Sequence, residues 1–173
     1  MRWVPEYFAR AGPRVIDCKG CDEPLHLFTD GACEPGEVTV AGVLLEGGRA
    51  PEAFGARVPE GIVERWRHGR SWQVVAQAEL APAFLSAAIC AERLRGKHLV
   101  VWIDQNAARQ GLVKGYSPSE MSAELIDYSL EALADLQIFP WFTRVPTEAN
   151  VADLPSRFKW AELETVLPGG VIR

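Results

Sequence analysis

No stretch of the sequence is apolar for the roughly 20 residues that a membrane-spanning helix needs. The longest apolar runs, such as the LVVWI of 99–103, are far too short. Positive charge is also in deficit, because 18 Lys and Arg against 23 Asp and Glu leave a net charge of −5. No global field attracts phosphates, so a polyanionic partner has to be held by a local patch or through metal. Cysteine is sparse, with Cys18, Cys21, Cys33 and Cys90 only, and the N-terminal MRWVPEYFARAGPRV has no apolar core followed by a small-residue cleavage site. Free thiols in a reducing, intracellular compartment are therefore expected. Cys18-Lys19-Gly20-Cys21 has the spacing of a zinc knuckle, but no second CxxC or CxxH completes the four ligands that zinc requires. Neither Gly (15) nor Pro (12) is abundant enough for collagen or low-complexity sequence, and 48% hydrophobic with 24% charged residues is globular composition. At about 150 residues per domain, 173 residues predict a single domain.

What is present changes character along the chain. Residues 1–24, with Pro5, Gly12, Pro13, Gly20 and Pro24, read as an irregular lead-in. Leu25 to Thr29 reads as a strand ending at Asp30-Gly31, and Val38 to Leu45 as a second strand after the turn Glu34-Pro35-Gly36-Glu37. Ala53 to Val58 completes an antiparallel meander. Residues 75–95 carry Leu80, Phe84, Ala87, Ala88, Ala91 and Leu94 near helical spacing, with regular helix expected to begin or bend near Glu79 because of Pro82. Leu99 to Ile103 reads as a strand buried on both faces. A short helix over Asn106 to Val113 follows, then a long one to about Gln137, with Ser117 as N-cap, Pro118 at the first helical position and Glu120 closing a capping box. Ile138 to Val145 is the fifth strand, and a last short helix starts at Ala152. The expected order βββαβααβα gives an α/β fold with a mixed five-stranded sheet flanked by helices, ending in a tail over 161–173.

Four carboxylates fall at element ends in this reading: Asp30, Glu79, Asp104 and Asp153. Taken singly, each has a structural explanation, since Asp before Gly forms turns, Glu suits a first helical turn, and Asn150 with Asp153 can cap a helix. Taken together, they suggest a shared site. Strand ends in a mixed sheet lie side by side, so Asp30 and Asp104 approach each other if their strands are neighbours. Like charges at that range repel unless cations fill the gap, and an all-oxygen ligand set selects Mg²⁺ or Mn²⁺ over zinc.

The pieces LFTDGACEPG (27–36), QAEL (77–80), VVWIDQNAA (100–108) and VPTEANVADLPSR (145–157) resemble type 1 ribonuclease H domains, of the kind found in retroelement reverse transcriptases. The resemblance spans about residues 25–160, and its first and last pieces are the specific ones. It implies a ribonuclease-H-like fold and hydrolysis of the RNA strand of RNA/DNA hybrids with two Mg²⁺ ions, Mn²⁺ being an alternative. It also implies that Asp30 bridges the two ions, that Asp153 completes the site of the ion activating water, and that Glu79 and Asp104 hold the ion at the leaving oxygen. Residues 1–24 would then be the remnant of a connection to a reverse-transcriptase polymerase domain. One departure concerns histidine: many members carry one shortly before the final Asn-x-x-Asp, whereas Thr143-Arg144-Val145-Pro146 stands here, with His26, His68 and His98 elsewhere. Glu148 is a candidate for an extra carboxylate near the site.

For holding the hybrid, the dense basic run Arg65-Trp66-Arg67-His68-Gly69-Arg70-Ser71-Trp72 offers Arg65, Arg67 and Arg70 as a phosphate-gripping loop. The competing reading places its tryptophans at the core edge. Gln105 and Asn106, beside Asp104, are candidates for contacting sugar edges, where a 2′-hydroxyl marks RNA, and Asn150 joins the nucleic-acid candidates. Two other functions stay open on sequence: a non-catalytic binding or scaffolding module of the same fold, and a DNA-acting nuclease or integrase core.

Overall fold

The computed structural model describes residues 23–67 and 74–173. Alternating apolar residues form β1 (Leu25–Glu34), which turns through Pro35-Gly36 into β2 (Glu37–Leu45). Glu34 pairs with Glu37, so two residues make the whole turn, and Gly36 takes the left-handed φ of 83° that the position demands. β3 (Glu52–Arg57) adds antiparallel to β2. β4 (His98–Ile103) then lies parallel to β1, and β5 (Phe139–Arg144) parallel to β4. With β6 (Val171–Ile172) beside β3, the sheet has six strands in the order β5-β4-β1-β2-β3-β6. The expected meander and parallel strands are all there, and the sixth strand is an addition.

Helices α1 (Glu60–Arg67), α2 (Val75–Ile89), α3 (Ala91–Leu94), α4 (Asn106–Lys114) and α5 (Glu120–Asp135) lie between β3 and β5 in sequence, and α6 (Asp153–Ser156) and α7 (Trp160–Val166) follow β5. The core joins Leu25, Leu27, Leu99, Val101 and Ile103 of the sheet to Leu80, Ala83 and Ala87 of α2 and to Ile126 and Leu133 of α5. α7 closes part of the opposite face, seating Leu163 with Ala152 against Val43 and Ala53.

Several expectations are corrected. β1 does not stop at Asp30-Gly31 but continues to Glu34, because its pairing with β2 runs unbroken through Asp30↔Ala41 and Gly31↔Val40. β4 is fully buried on one face only: Leu99, Val101 and Ile103 are buried, while Val100 and Trp102 are partly covered on the other face, where Trp102 stacks on Phe28 at 5.6 Å. α2 begins at Val75 and carries Pro82 in its interior; Pro82 cannot donate to Ala78, yet Leu80 and Ala83 are packed into the core on either side of it. The N-cap of α5 is Ser119, not Ser117, whose hydroxyl instead accepts from the Ser119 N–H at 3.2 Å and forms a turn ahead of the helix. Residues 161–173 are no tail, since they supply most of α7 and all of β6. Among the described residues no helix is long and apolar enough to cross a membrane. Cys33 and Cys90 are free thiols, and Cys18 and Cys21 lie outside the described residues.

Candidate metal centre

Strand register decides where the acidic groups meet. The β1–β4 ladder ends at Thr29↔Ile103. Asp30, still within β1, and Asp104, just past the end of β4, are the next residues in line, so the two carboxylates stand side by side where the strands part. Glu79 reaches them from the second turn of α2, and ligand oxygens of Asp30, Glu79 and Asp104 all lie within 4.8 Å of one another.

Gly31 makes that approach possible. A Cβ there would lie 2.7 Å from the Glu79 backbone nitrogen and closer still to the Ala78 carbonyl, so only a residue without a side chain lets α2 touch β1 at this point. The Gly31 backbone also gives the Glu79 carboxylate a hydrogen bond.

Crowding shows in the electrostatics. Burial, aided by the charges of Asp104 and Asp30, pushes the Glu79 carboxyl up to about 9. Burial also raises Asp30 to about 6 against the lowering effect of the Ser156 hydroxyl; the carboxylates of Asp104 and Asp153 add to the rise, and Arg157 opposes it. Two oxygens in the group, Glu79 Oε2 and Asp104 Oδ1, are buried without a hydrogen-bond partner. An unpartnered buried carboxylate oxygen is costly, and a hard divalent cation is the ligand that an all-oxygen set of this kind satisfies. The residues fit such an ion.

Asp153, the fourth expected ligand, is close enough to Asp30 to act on its charge but stands outside the three-carboxylate group, its Oδ1 accepting from Arg157 Nε at 2.9 Å. The 150–157 segment is fastened to the sheet at three points. Asn150 Nδ2 donates to the Thr29 carbonyl at 3.0 Å and to Asp30 Oδ1 at 3.4 Å. Thr39 Oγ1 donates to the Ser156 carbonyl at 2.7 Å, and Gly55 leaves room for the Pro155 carbonyl.

The nucleic-acid candidates are distributed differently from the sequence reading. Asn150 is 4% exposed and directs its amide inward, with Oδ1 accepting from the Ala152 N–H, so it positions Asp30 and the 150–153 turn. Gln105 caps α4 with its side-chain oxygen, and Asn106 Oδ1 accepts from Arg109 at 3.0 Å. Arg65 and Arg67 lie on helix α1 rather than in a loop, paired with Glu124 at 2.7 Å and Glu60 at 3.5 Å. Trp66 is buried among Val38, Val40, Val63 and Val74, as the core-edge reading requires. His68, Arg70 and Trp72 lie outside the described residues. Glu148 sits exposed on the 3₁₀ turn Thr147–Ala149, outside the carboxylate group. Sequence reasoning missed Arg157, Thr39 and the packing role of Gly31; the available signals were a Gly directly after the first carboxylate and an Arg four residues after the last.

Sheet order and flanking helices are those of a ribonuclease-H-like α/β fold. No family model matches the sequence, and no curated protein sequence does. Solved structures do match in fold. The RNase H1 of the halophilic archaeon Halobacterium salinarum superposes with a TM-score of 0.59 at 17% identity, covering 81% of this chain and 99% of its own. The N-terminal RNase H domain of a Mycobacterium tuberculosis protein gives 0.58 at 10% identity, covering 84% and 99%. LC11-RNase H1, solved in complex with an RNA/DNA hybrid, gives 0.52 at 13% identity, covering 76% and 92%.

Proposed function

We propose that this protein is a metal-dependent endonuclease that hydrolyses the RNA strand of RNA/DNA hybrids. The observation that carries the reading is the convergence of Asp30, Glu79 and Asp104 with two buried carboxylate oxygens left unpartnered. Asp30, Glu79, Asp104 and Asp153 would hold two Mg²⁺ or Mn²⁺ ions, Asp30 serving both. Bound there, the ions would stabilise the negative charge that develops on the attacking and leaving oxygens of phosphodiester hydrolysis. Asn150 and Gly31 hold the ligands in place. Arg65, Arg67 and Arg70 are the candidate phosphate contacts, while Gln105 and Asn106 sit next to Asp104 where sugar edges would pass. Affiliation with retroelement reverse transcriptases belongs to the same proposal and rests on LFTDGACEPG and VADLPSR.

One observation favours a second reading, a binding module without catalysis: the Asp153 carboxylate already has Arg157 as its partner. Incubating the purified chain with end-labelled RNA/DNA hybrid, duplex DNA and duplex RNA in Mg²⁺, Mn²⁺ or EDTA separates the two. Cleavage confined to the RNA strand of the hybrid, abolished by EDTA and by Asp104→Asn, is the expected result. Hybrid binding with no cleavage in either metal would establish the second reading, and cleavage of duplex DNA would move the protein to a DNA-acting branch.

A further inference from the structure

Among the described residues Asp30, Glu79 and Asp104 make no ion pair, whereas Asp153 has one with Arg157. Arg157 ends α6 and places its guanidinium between two acids, with Nε 2.9 Å from Asp153 Oδ1 and a terminal nitrogen 3.0 Å from Glu34 Oε1. Its spacing from Asp153 is one helical turn, and Glu34 comes from the far end of β1, so the bridge ties α6 to the strand that carries Asp30. The side chains remain partly open to solvent, 43% for Arg157 and 31% for Asp153, so the bridge can exchange.

Resting on the reading of the site as a divalent-metal centre, we propose that Arg157 is a resident counter-ion that competes with the second metal ion for Asp153, and so sets how much divalent cation the site needs to fill completely. Among the described residues the group of Asp30, Glu79 and Asp104 makes no ion pair and has two oxygens without a hydrogen-bond partner, so it fills first. Asp153 ligates at full strength only when the Arg157 guanidinium no longer draws on its Oδ1. Glu34 lowers the cost of that release, because the guanidinium keeps one carboxylate partner when it gives up the other. Arg157 is thus a positioning residue acting through Asp153. A partly exposed ion pair contributes about 1 kcal/mol at most, which corresponds to a change of roughly fivefold in the second dissociation constant.

The test counts Mn²⁺ directly, by electron paramagnetic resonance of the free ion during titration of the protein without nucleic acid. Wild type is expected to bind one ion tightly and a second only at higher concentration. Arg157→Gln should tighten the second step about fivefold, and Arg157→Lys, which keeps the charge but loses the fork, should fall between. In an Asp153→Asn background the Arg157→Gln substitution should leave the remaining binding unchanged, because the group it acts through is gone. An unchanged second step in Arg157→Gln overturns the proposal. So does an equal tightening with and without Asp153, which would reduce Arg157 to a general field on the cluster. Failure of wild type to bind any Mn²⁺ refutes the metal-centre reading itself, a distinct result. Far-ultraviolet circular dichroism of each variant establishes that it is folded, and Arg157→Lys carries the test if the Gln variant is not.

Discussion

Glu79→Gln should make the metal-free protein more stable, by an amount that depends on pH. In the folded protein the Glu79 carboxyl is raised from its ordinary 4.5 to about 9 by burial and by Asp104 and Asp30. A carboxyl raised in the native state binds its proton more tightly there than in the unfolded chain, so wild type loses stability as pH climbs above 4.5 and continues to lose it until about 9. At pH 7 the unfolded chain ionises this group and the folded one does not, a difference of about 3 kcal/mol at 1.4 kcal/mol per pH unit. Glutamine has the same shape, never ionises, and places an N–H₂ where Glu79 Oε2 now lacks a partner beside two carboxylates. A gain of about 1–3 kcal/mol at pH 7 is expected, allowing for relaxation around the buried acid. For a chain of this size that is roughly 2–12 °C in Tm. Thermal and urea melts in EDTA at pH 4.5 and pH 7 measure it: the gap should be near zero at the lower pH and open at the higher. A gap of the same size at both, or a Gln variant less stable at pH 7, would show that Glu79 is not held protonated in the folded state. Adding Mg²⁺ should raise the Tm of wild type more than that of the variant, since an ion bound only by the native state stabilises it by mass action.

Gly31→Ala should destabilise the fold by about 2 kcal/mol or more, an overpacking cost, and should weaken Mn²⁺ binding as well, because its Cβ would push the Ala78–Glu79 backbone away from β1; a melting curve and a Mn²⁺ titration matching wild type would show that α2 tolerates the shift. Trp66→Ala should cost about 3–5 kcal/mol in urea unfolding, as a side chain 7% exposed among valines must; loss of hybrid affinity without loss of stability would return Trp66 to a stacking role.

Much of the architecture was legible because periodicity and turn chemistry are local. Pro35-Gly36 specifies the first hairpin, runs of β-branched and aliphatic residues mark β1 and β2, helical spacing marks α2, and the Ser-Pro-Ser-Glu start marks α5. The error over β4 arose because LVVWI is apolar at every position, so the pattern cannot say which face a helix covers; the sheet topology leaves Val100 and Trp102 half-covered. α1 went unread although Pro59-Glu60 and the spacing of Val63 and Trp66 signal it, since the basic residues around them looked like a loop. β6 spans two residues, too short for any local pattern, and exists only because Pro51 and Ala53 offer an open strand edge.

The same division runs through the site. Sequence alone determined which carboxylates were candidates, because Asp-Gly after a strand, Asp after an apolar run and Asn-x-x-Asp are local signals. Their convergence came from the tertiary structure: the β1–β4 ladder ends one residue before both Asp30 and Asp104, and Gly31 admits the helix carrying Glu79. Asp153 shows what local pattern cannot reach. Its partner Arg157 is one helical turn away and visible in the sequence, but the bridge onward to Glu34 spans more than a hundred residues and forms only once α6 is fastened to the sheet through Asn150 and Thr39. Charge and hydrogen-bonding capacity are written into each residue, whereas which charges are left without a partner depends on what the folded chain places around them.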